Sequence, residues 1–181
     1  MARPLVLVLG GTRSGKSTYG LARVRELAGG RPVAYLATAL SAVAGDPELE
    51  DRIDRHRRSR PADWPTIEVG RDLPAALATA GDSPVLLDGL TLWLSAVAGD
   101  DLADIDAVLD GPVAAALEAI ARHPAPAVVV SDEIGLGMVP MDPGARAFRD
   151  LQGLVHQRLA AAADEVHLMV AGLPLTLKPR S

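Results

Sequence analysis

Apolar residues fall along this chain in short aliphatic blocks, separated by stretches with helical spacing. Leu5-Val6-Leu7-Val8-Leu9 runs straight into Gly10-Gly11. An aliphatic run of that length, bounded by turn residues, reads as a buried strand. The pattern then predicts a helix from Lys16 to about Leu27, stopped by Gly29-Gly30, and a second strand over 33–37. Asp46-Pro47-Glu48 carries the marks of a helix start: a capping Asp, Pro at the first position and an acid in the first turn. That helix is expected to reach about Arg58 and stop before Pro61. Residues 67–69 read as a short strand, 85–88 as an aliphatic strand ending in an acid, and 127–131 as another buried strand. Helix is expected within 101–122, interrupted near Gly111-Pro112, and again over 146–163. Residues 166–171 and 175–177 flank Gly172-Leu173-Pro174 and predict a short antiparallel C-terminal hairpin. Strands alternating with helices imply βαβ units, hence an α/β fold whose mostly parallel sheet is flanked by helices. With no repeat, low-complexity tract or linker, residues 1–181 are expected to form one domain.

Composition supports this picture. Hydrophobic residues make up 49% of the chain but aromatics only 3%, so the core is built from Ala, Val, Leu and Ile. Aliphatic strands of that kind suit a parallel sheet covered on both faces. The net charge of −5 argues against a nucleic-acid coat, so an anionic ligand must be held by local positive charge. The absence of cysteine excludes a disulfide framework, a thiolate metal site and a Cys nucleophile. The run 5–9 is too short to span a bilayer and lacks the flanks of a secretion signal, so a cytoplasmic protein is expected.

The strongest local signal is Gly10-Gly11-Thr12-Arg13-Ser14-Gly15-Lys16-Ser17, which fits G-x-x-x-x-G-K-[ST]. Glycines let the backbone fold tightly, so that successive N–H groups point at phosphate oxygens. Lys16 supplies a point charge to the β- and γ-phosphates, and the Ser17 hydroxyl is a Mg²⁺ ligand. The helix that follows adds its positive N-terminal end. The motif sits between an aliphatic strand and a helix, which is the context the chemistry requires. Asp88 ends a strand, where a P-loop enzyme places an acid to hold Mg²⁺ directly or through water.

Residues 52–60 carry five arginines around His56. Leu49, Ile53 and His56 share one helical face, so periodicity alone suits a core histidine on a solvated basic helix. A basic stretch in an acidic protein calls for an anionic partner, and Arg suits phosphate. Nearby arginines disfavour imidazolium, and a neutral imidazole is able to attack phosphorus.

Several blocks together resemble one family. They are residues 10–17, Tyr35-Leu36-Ala37-Thr38-Ala39, Arg52-Ile53, His56, Arg60-Pro61, Trp64 and Leu86-Leu87-Asp88-Gly89-Leu90-Thr91-Leu92-Trp93-Leu94. Then come Val130-Ser131-Asp132-Glu133-Ile134-Gly135-Leu136-Gly137-Met138-Val139-Pro140 and Phe148-Arg149-Asp150. In order and spacing they resemble the bifunctional adenosylcobinamide kinase/adenosylcobinamide-phosphate guanylyltransferases of cobalamin biosynthesis. The resemblance covers nearly the whole chain and implies a P-loop NTPase fold of the RecA-like type. It implies two reactions: a nucleoside triphosphate, ATP or GTP, phosphorylates the aminopropanol hydroxyl of adenosylcobinamide. A histidine then takes GMP from the α-phosphorus of GTP and passes it to adenosylcobinamide phosphate, giving adenosylcobinamide-GDP. The family's histidine falls on His56. Its nucleotide contacts fall on residues 10–17, on Ala37, Thr38 and Ala39, on Arg57, Arg58, Ser59 and Arg60, on Glu68 and on Asp88. The resemblance further implies a homotrimer. This chain departs from the family at Asp132-Glu133 and His156-Gln157, where the family shows Asn-Glu and Asn-Gln. Both departures bear on the kinase half.

Other features read two ways. Glu133 either orients the substrate hydroxyl or a metal-bound water, or caps the turn that follows it. Trp93 and Phe148 suit core packing more than contact with a corrin ring, and His123 and His167 read as structural. No His and carboxylate spacing fits zinc. Two other functions share the cradle: a monofunctional P-loop small-molecule kinase, with the arginine helix clamping substrate, and a non-enzymatic nucleotide-dependent switch.

Overall fold

The structure is a computed structural model that describes residues 3–38, 61–99, 102 and 104–180. The helix expected over 46–58 lies outside the described residues. The first strand, β1 (Leu5–Gly10), leads through the cradle to α1 (Lys16–Ala28), and β2 (Ala34–Ala37) follows. Next come β3 (Thr66–Glu68), α2 (Leu73–Ala80), β4 (Val85–Asp88) and α3 (Leu90–Ala98). Helix α4 (Ile105–Val108) joins α5 (Ala114–Arg122) through a π turn, and β5 (Ala127–Asp132), α6 (Pro143–Ala162), β6 (Glu165–Val170) and β7 (Leu173–Lys178) complete the chain. The interruption expected near Gly111-Pro112 is this π turn, where Gly111 leaves helical geometry at φ −96°, ψ −107°.

The seven strands among the described residues form one sheet in the order β3-β2-β4-β5-β1-β6-β7, parallel throughout except for the β6–β7 pair. Alternation along each strand divides the core between two layers. Val6, Val8, Tyr35, Leu86, Val128 and Val130 pack with Val24 and Ala28 of α1 on one face. Leu5, Leu7, Leu9, Leu36, Leu87 and Val129 pack under α2, α3, α5 and α6 on the other. Helix α1 lies so close to β5 that a Cβ on Gly20 would meet Val130 Cγ2 at 2.6 Å.

The C-terminal hairpin is present with a shifted turn. The sequence pattern puts the connection at 172–174, but the turn is Ala171-Gly172, with φ of 52° and 82°. Both residues take the left-handed conformations that a tight two-residue hairpin needs, so β7 starts at Leu173 and contains Pro174. Proline is tolerated there because β7 is the edge strand. Helices α2 and α3 have no counterpart in the sequence reading. Each is short and almost wholly apolar, so neither shows a clear helical period. The start of α2 is nonetheless marked: the Asp72 carboxylate accepts from Ala75 N at 2.9 Å.

Candidate active site

The parallel strands all point the same way, so their C-terminal ends form one rim, where open α/β sheets bind ligands. Gly10 of β1 starts the cradle at that rim. A Cβ at Gly10 would lie 2.4 Å from Ser14 Oγ, and Gly15 enters α1 at φ 93°, so both positions demand glycine. Arg13 holds φ 57° without being glycine, the kind of local strain that concentrates at ligand clamps. No side chain caps the N-terminus of α1, which leaves its first N–H groups turned to the cradle for an anion. Lys16 is buried, and its Nζ lies 3.2 Å from Gly11 O and 2.6 Å from Asp132 Oδ1.

Asp88 ends β4 on the same rim. Ser17 Oγ donates to Asp88 Oδ1 at 3.0 Å, and Tyr35 Oη donates to Oδ2 at 3.1 Å. A hydroxyl and a carboxylate side by side beside a phosphate cradle are hard oxygen donors of the kind Mg²⁺ takes. Among the described residues no group of three or more His, Asp or Glu side chains is placed to hold a metal by itself. Ala37 pairs in register with Asp88 on one side and Glu68 on the other. Thr38 is buried with its hydroxyl committed to Gly89 O at 2.9 Å, so it shapes the β4–α3 turn. Glu68, on the outermost strand, is four strand positions from β1, roughly 19 Å at ordinary strand spacing. Glu68 and Lys16 therefore do not meet directly. His56, Ala39 and residues 57–60 lie outside the described residues.

The end of β5 stands between the cradle and Asp88, because β5 separates β1 from β4. Consecutive strand residues face opposite ways. Asp132 turns to the α1 face and meets Lys16, while Ser131 and Glu133 turn to the α6 face. There they join a polar cluster that the sequence reading missed. Gln152 Nε2 donates to Thr91 Oγ1 at 2.9 Å and to the Asp132 carbonyl. Asp132 N also donates to Thr91 Oγ1 at 2.9 Å. Thr91 Oγ1 lies 3.2 Å from Ser131 Oγ, which lies 2.8 Å from His156 Nε2. His156 Nδ1 is 3.4 Å from Glu133 Oε2. Burial pushes the His156 imidazole below its ordinary value of 6.5, against the pull of Glu133. The signal was available in the sequence. Gln152 and His156 sit four apart on the face of α6 that also carries Leu151, Val155 and Leu159, and polar residues on a core face need partners.

The segment after Glu133 is tied down at its backbone. Arg149 Nη1 donates to Met138 O at 3.0 Å, and Arg146 Nη1 donates to Pro140 O and Met141 O at 3.0 and 2.8 Å. Leu136, Met138 and Met141 in this segment are exposed. The remaining candidates are structural: Trp93 is buried with Nε1 donating to Arg71 O, His123 is buried on Ser83 O, and His167 is buried beside Glu165.

Comparison with known proteins agrees with this arrangement. Among solved structures, the fold is similar to the flagellar accessory protein FlaH of Methanocaldococcus jannaschii, with TM-score 0.50 and 15% identity over 98% of this chain and 79% of that one. It is also similar to a solved ATPase domain, with TM-score 0.53 and 10% identity over 92% of this chain and 69% of that one. At that identity both speak to fold alone. In sequence, the chain is 41% identical to the bifunctional adenosylcobalamin biosynthesis protein CobP of Pseudomonas aeruginosa, over 95% of this chain and 96% of that protein. It is 38% identical to CobU of Salmonella typhimurium, which carries the same description, over 96% and 99%. Residues 6–177 match the family model described as cobinamide kinase / cobinamide phosphate guanyltransferase. A P-loop at the sheet rim, a match spanning nearly every described element and full-length relatives together lead to one conclusion: this chain belongs to the cobinamide kinase / cobinamide phosphate guanyltransferase family.

Proposed function

We propose that this protein phosphorylates the hydroxyl of adenosylcobinamide and then transfers GMP from GTP to the resulting adenosylcobinamide phosphate. The observation that carries the reading is the convergence of Lys16, Ser17 and Asp88 at the rim, with Ser17 Oγ 3.0 Å from Asp88. Cradle and Lys16 hold the triphosphate, and Lys16 meets the charge that builds on the γ-phosphoryl oxygens during transfer. Ser17 and Asp88 are the residues that would hold Mg²⁺, which neutralises phosphate charge when bound. The hydroxyl oxygen bonds to the γ-phosphorus as the bond to the β-phosphate oxygen breaks, and the nucleoside diphosphate leaves.

For the second reaction the nucleophile is His56, on the strength of the family resemblance and its arginine neighbours. A ring nitrogen bonds to the α-phosphorus of GTP, pyrophosphate departs, and the P–N bond then yields to a phosphate oxygen of the corrinoid. Arg57, Arg58, Ser59, Arg60, Ala39 and Glu68 belong to the GTP side of this proposal. The use of nucleoside triphosphates suits a cytoplasmic enzyme. No helix among the described residues is long and apolar enough to cross a membrane. The assembly is a homotrimer. The exposed side chains of Leu173, Leu175 and Leu177 on the β7 edge are apolar surface that subunit contacts would cover, and a monomer by analytical ultracentrifugation at assay concentration would rule the assembly out.

The test of function uses α- and γ-labelled GTP in parallel. Acid-labile, alkali-stable protein label from the α-phosphate, lost in His56→Ala, is the expected result. In that variant adenosylcobinamide is still phosphorylated. Label persisting in His56→Ala would move the nucleophile elsewhere. Substrate-dependent γ-phosphate loss with no protein label would reduce the enzyme to a plain kinase, and tight binding with neither would make it a switch.

A further inference from the structure

We propose that Glu133 is the proton acceptor for the corrinoid hydroxyl during phosphoryl transfer, held for that task by His156. The inference rests on the kinase reading above and adds to it the group that handles the proton. Among the described residues three carboxylates reach the rim between the cradle and the fourth strand, and their partners separate them. Asp132 Oδ1 is 2.6 Å from the Lys16 ammonium and is engaged by it. Asp88 receives the hydroxyls of Ser17 and Tyr35. Among the described residues Glu133 pairs with no Lys or Arg, and its backbone is fixed at the cradle, with its N–H donating to Gly10 O at 2.9 Å.

Counting donors fixes the hydrogen positions. Thr91 Oγ1 accepts from Asp132 N and from Gln152 Nε2, so both its lone pairs are used. Its own hydrogen must point outward, and the acceptor there is Ser131 Oγ at 3.2 Å. The Ser131 hydrogen then points to His156 Nε2 at 2.8 Å, so Nε2 is the bare nitrogen of the ring. Nδ1 carries the proton and faces Glu133 Oε2 at 3.4 Å. Contacts of this length in ligand-free sites tighten when substrate binds. Glu133 Oε1 accepts from Gly135 N at 2.6 Å. Each carboxylate oxygen thus has one donor and keeps a lone pair. The side chain is 20% exposed, so those lone pairs are within reach of a substrate. Burial keeps His156 neutral, so the imidazole orients the carboxylate without neutralising it. The capping contact to Gly135 and the catalytic role are therefore compatible: the cap fixes one oxygen and the histidine the other.

In the step itself the acceptor O–H bond breaks as the new O–P bond forms. The proton passes to Glu133, the electron pair of the breaking P–O bond leaves with the nucleoside diphosphate, and Glu133 later returns the proton to water. His156 acts as a positioning residue. Among the described residues the charged and titratable groups around Glu133 are His156 and Arg149 on the helix side and Asp132 with Lys16 on the cradle side.

The experiment measures kcat and KM for both reactions in parallel, over a range of pH. Glu133→Gln is expected to lower kinase kcat by about 10²–10⁴-fold, the usual worth of a general base, with the KM for triphosphate unchanged. It should also abolish the fall in kcat on acidification that a carboxylate base imposes. GMP transfer to supplied adenosylcobinamide phosphate continues. His156→Asn, which still offers an N–H to Glu133 and an acceptor to Ser131, should retain kinase turnover, whereas His156→Leu should lose it. Kinase kcat of Glu133→Gln within a few-fold of the parent, or an unchanged pH profile, overturns the inference while leaving the proposed function standing. A parent enzyme that transfers GMP but phosphorylates nothing overturns both. Should Glu133→Gln not fold, the two His156 variants decide the matter, and equal kcat in both would reject the role.

Discussion

Helix α1 contributes the cations of two ion pairs that match in length and differ in build. At its start, Lys16 reaches Asp132 at 2.6 Å; two turns later, Arg23 reaches Glu165 at 2.6 Å. Both pairs join the helix to the end of a strand, and both are largely shielded from water. The Arg23 pair is bidentate, with Nε on Oε2 at 3.2 Å and Nη2 on Oε1 at 2.6 Å. Its guanidinium also meets Glu26, and its carboxylate also meets His167. The Lys16 pair is a single contact from a point charge on a flexible stem. Arg with a planar fork locks a geometry, whereas Lys can let go of a carboxylate and take up a phosphate. The first pair fixes α1 to the sheet. In the proposed function the second occupies the position that nucleotide phosphates take.

That contrast can be broken most severely at Arg23. Arg23→Met leaves Glu165 buried without its cation, and loss of one partner of a buried pair costs about 3–5 kcal/mol, readable in a urea unfolding curve. Lys16→Ala should leave the unfolding curve much closer to the parent, because Asp132 lies at the rim and can turn to water. Its effect is on turnover, about 10²–10³-fold in kinase kcat, as for loss of one donor to transition-state charge. A large stability loss in Lys16→Ala with intact turnover would reverse the assignment of the two pairs. Asp132→Asn should act oppositely and more gently. Removing a carboxylate that competes with phosphate for Lys16 is expected to tighten triphosphate binding roughly ten-fold, about 1.4 kcal/mol, by titration calorimetry. Weaker binding in Asp132→Asn would mean that the carboxylate helps to hold the nucleotide.

The smallest effect is a dependence on pH. Burial alone would raise the Glu165 carboxyl, but the Arg23 hydrogen bond and charge, with help from His167, carry it below its ordinary 4.5. Its contribution to stability is thus complete above pH 4.5 and is lost as pH falls through the lower folded value. In Arg23→Met only burial and the weaker His167 remain, so acid unfolding should begin at higher pH. His156, lowered by burial from 6.5, adds an earlier slope. The unfolded chain takes up that proton near pH 6.5 while the folded chain resists, so stability declines as pH drops below it. His156→Asn should remove that slope, and an unaltered slope would show that the ring is not buried neutral.

The strands, the cradle and Asp88 were legible in the sequence because each is a local signal. Aliphatic runs bounded by glycine are contiguous, and the phosphate motif must be contiguous to fold its backbone round an anion. The two apolar helices α2 and α3 were not, since a segment nearly uniform in hydrophobicity carries no period. The hairpin turn was misplaced toward Pro174 because proline reads as a loop residue, whereas an edge strand accepts it. The cluster at the end of β5 was only half visible. Asp132 and Glu133 stood out as an acidic pair, but their partners Thr91, Gln152, His156 and Lys16 come from three other helices.

The sequence by itself determined the chemistry available: a P-loop with its lysine and serine, an acid at a strand end, and the family to which these belong. The tertiary structure decided how that chemistry is shared out. Asp132 and Glu133 are neighbours in the chain, yet the pleat turns them to opposite faces of the sheet. One meets the ammonium of α1 and the other the neutral imidazole of α6. A side chain's charge is written in the sequence, but the partner it meets depends on what stands within a few ångströms, and only packing brings those groups together.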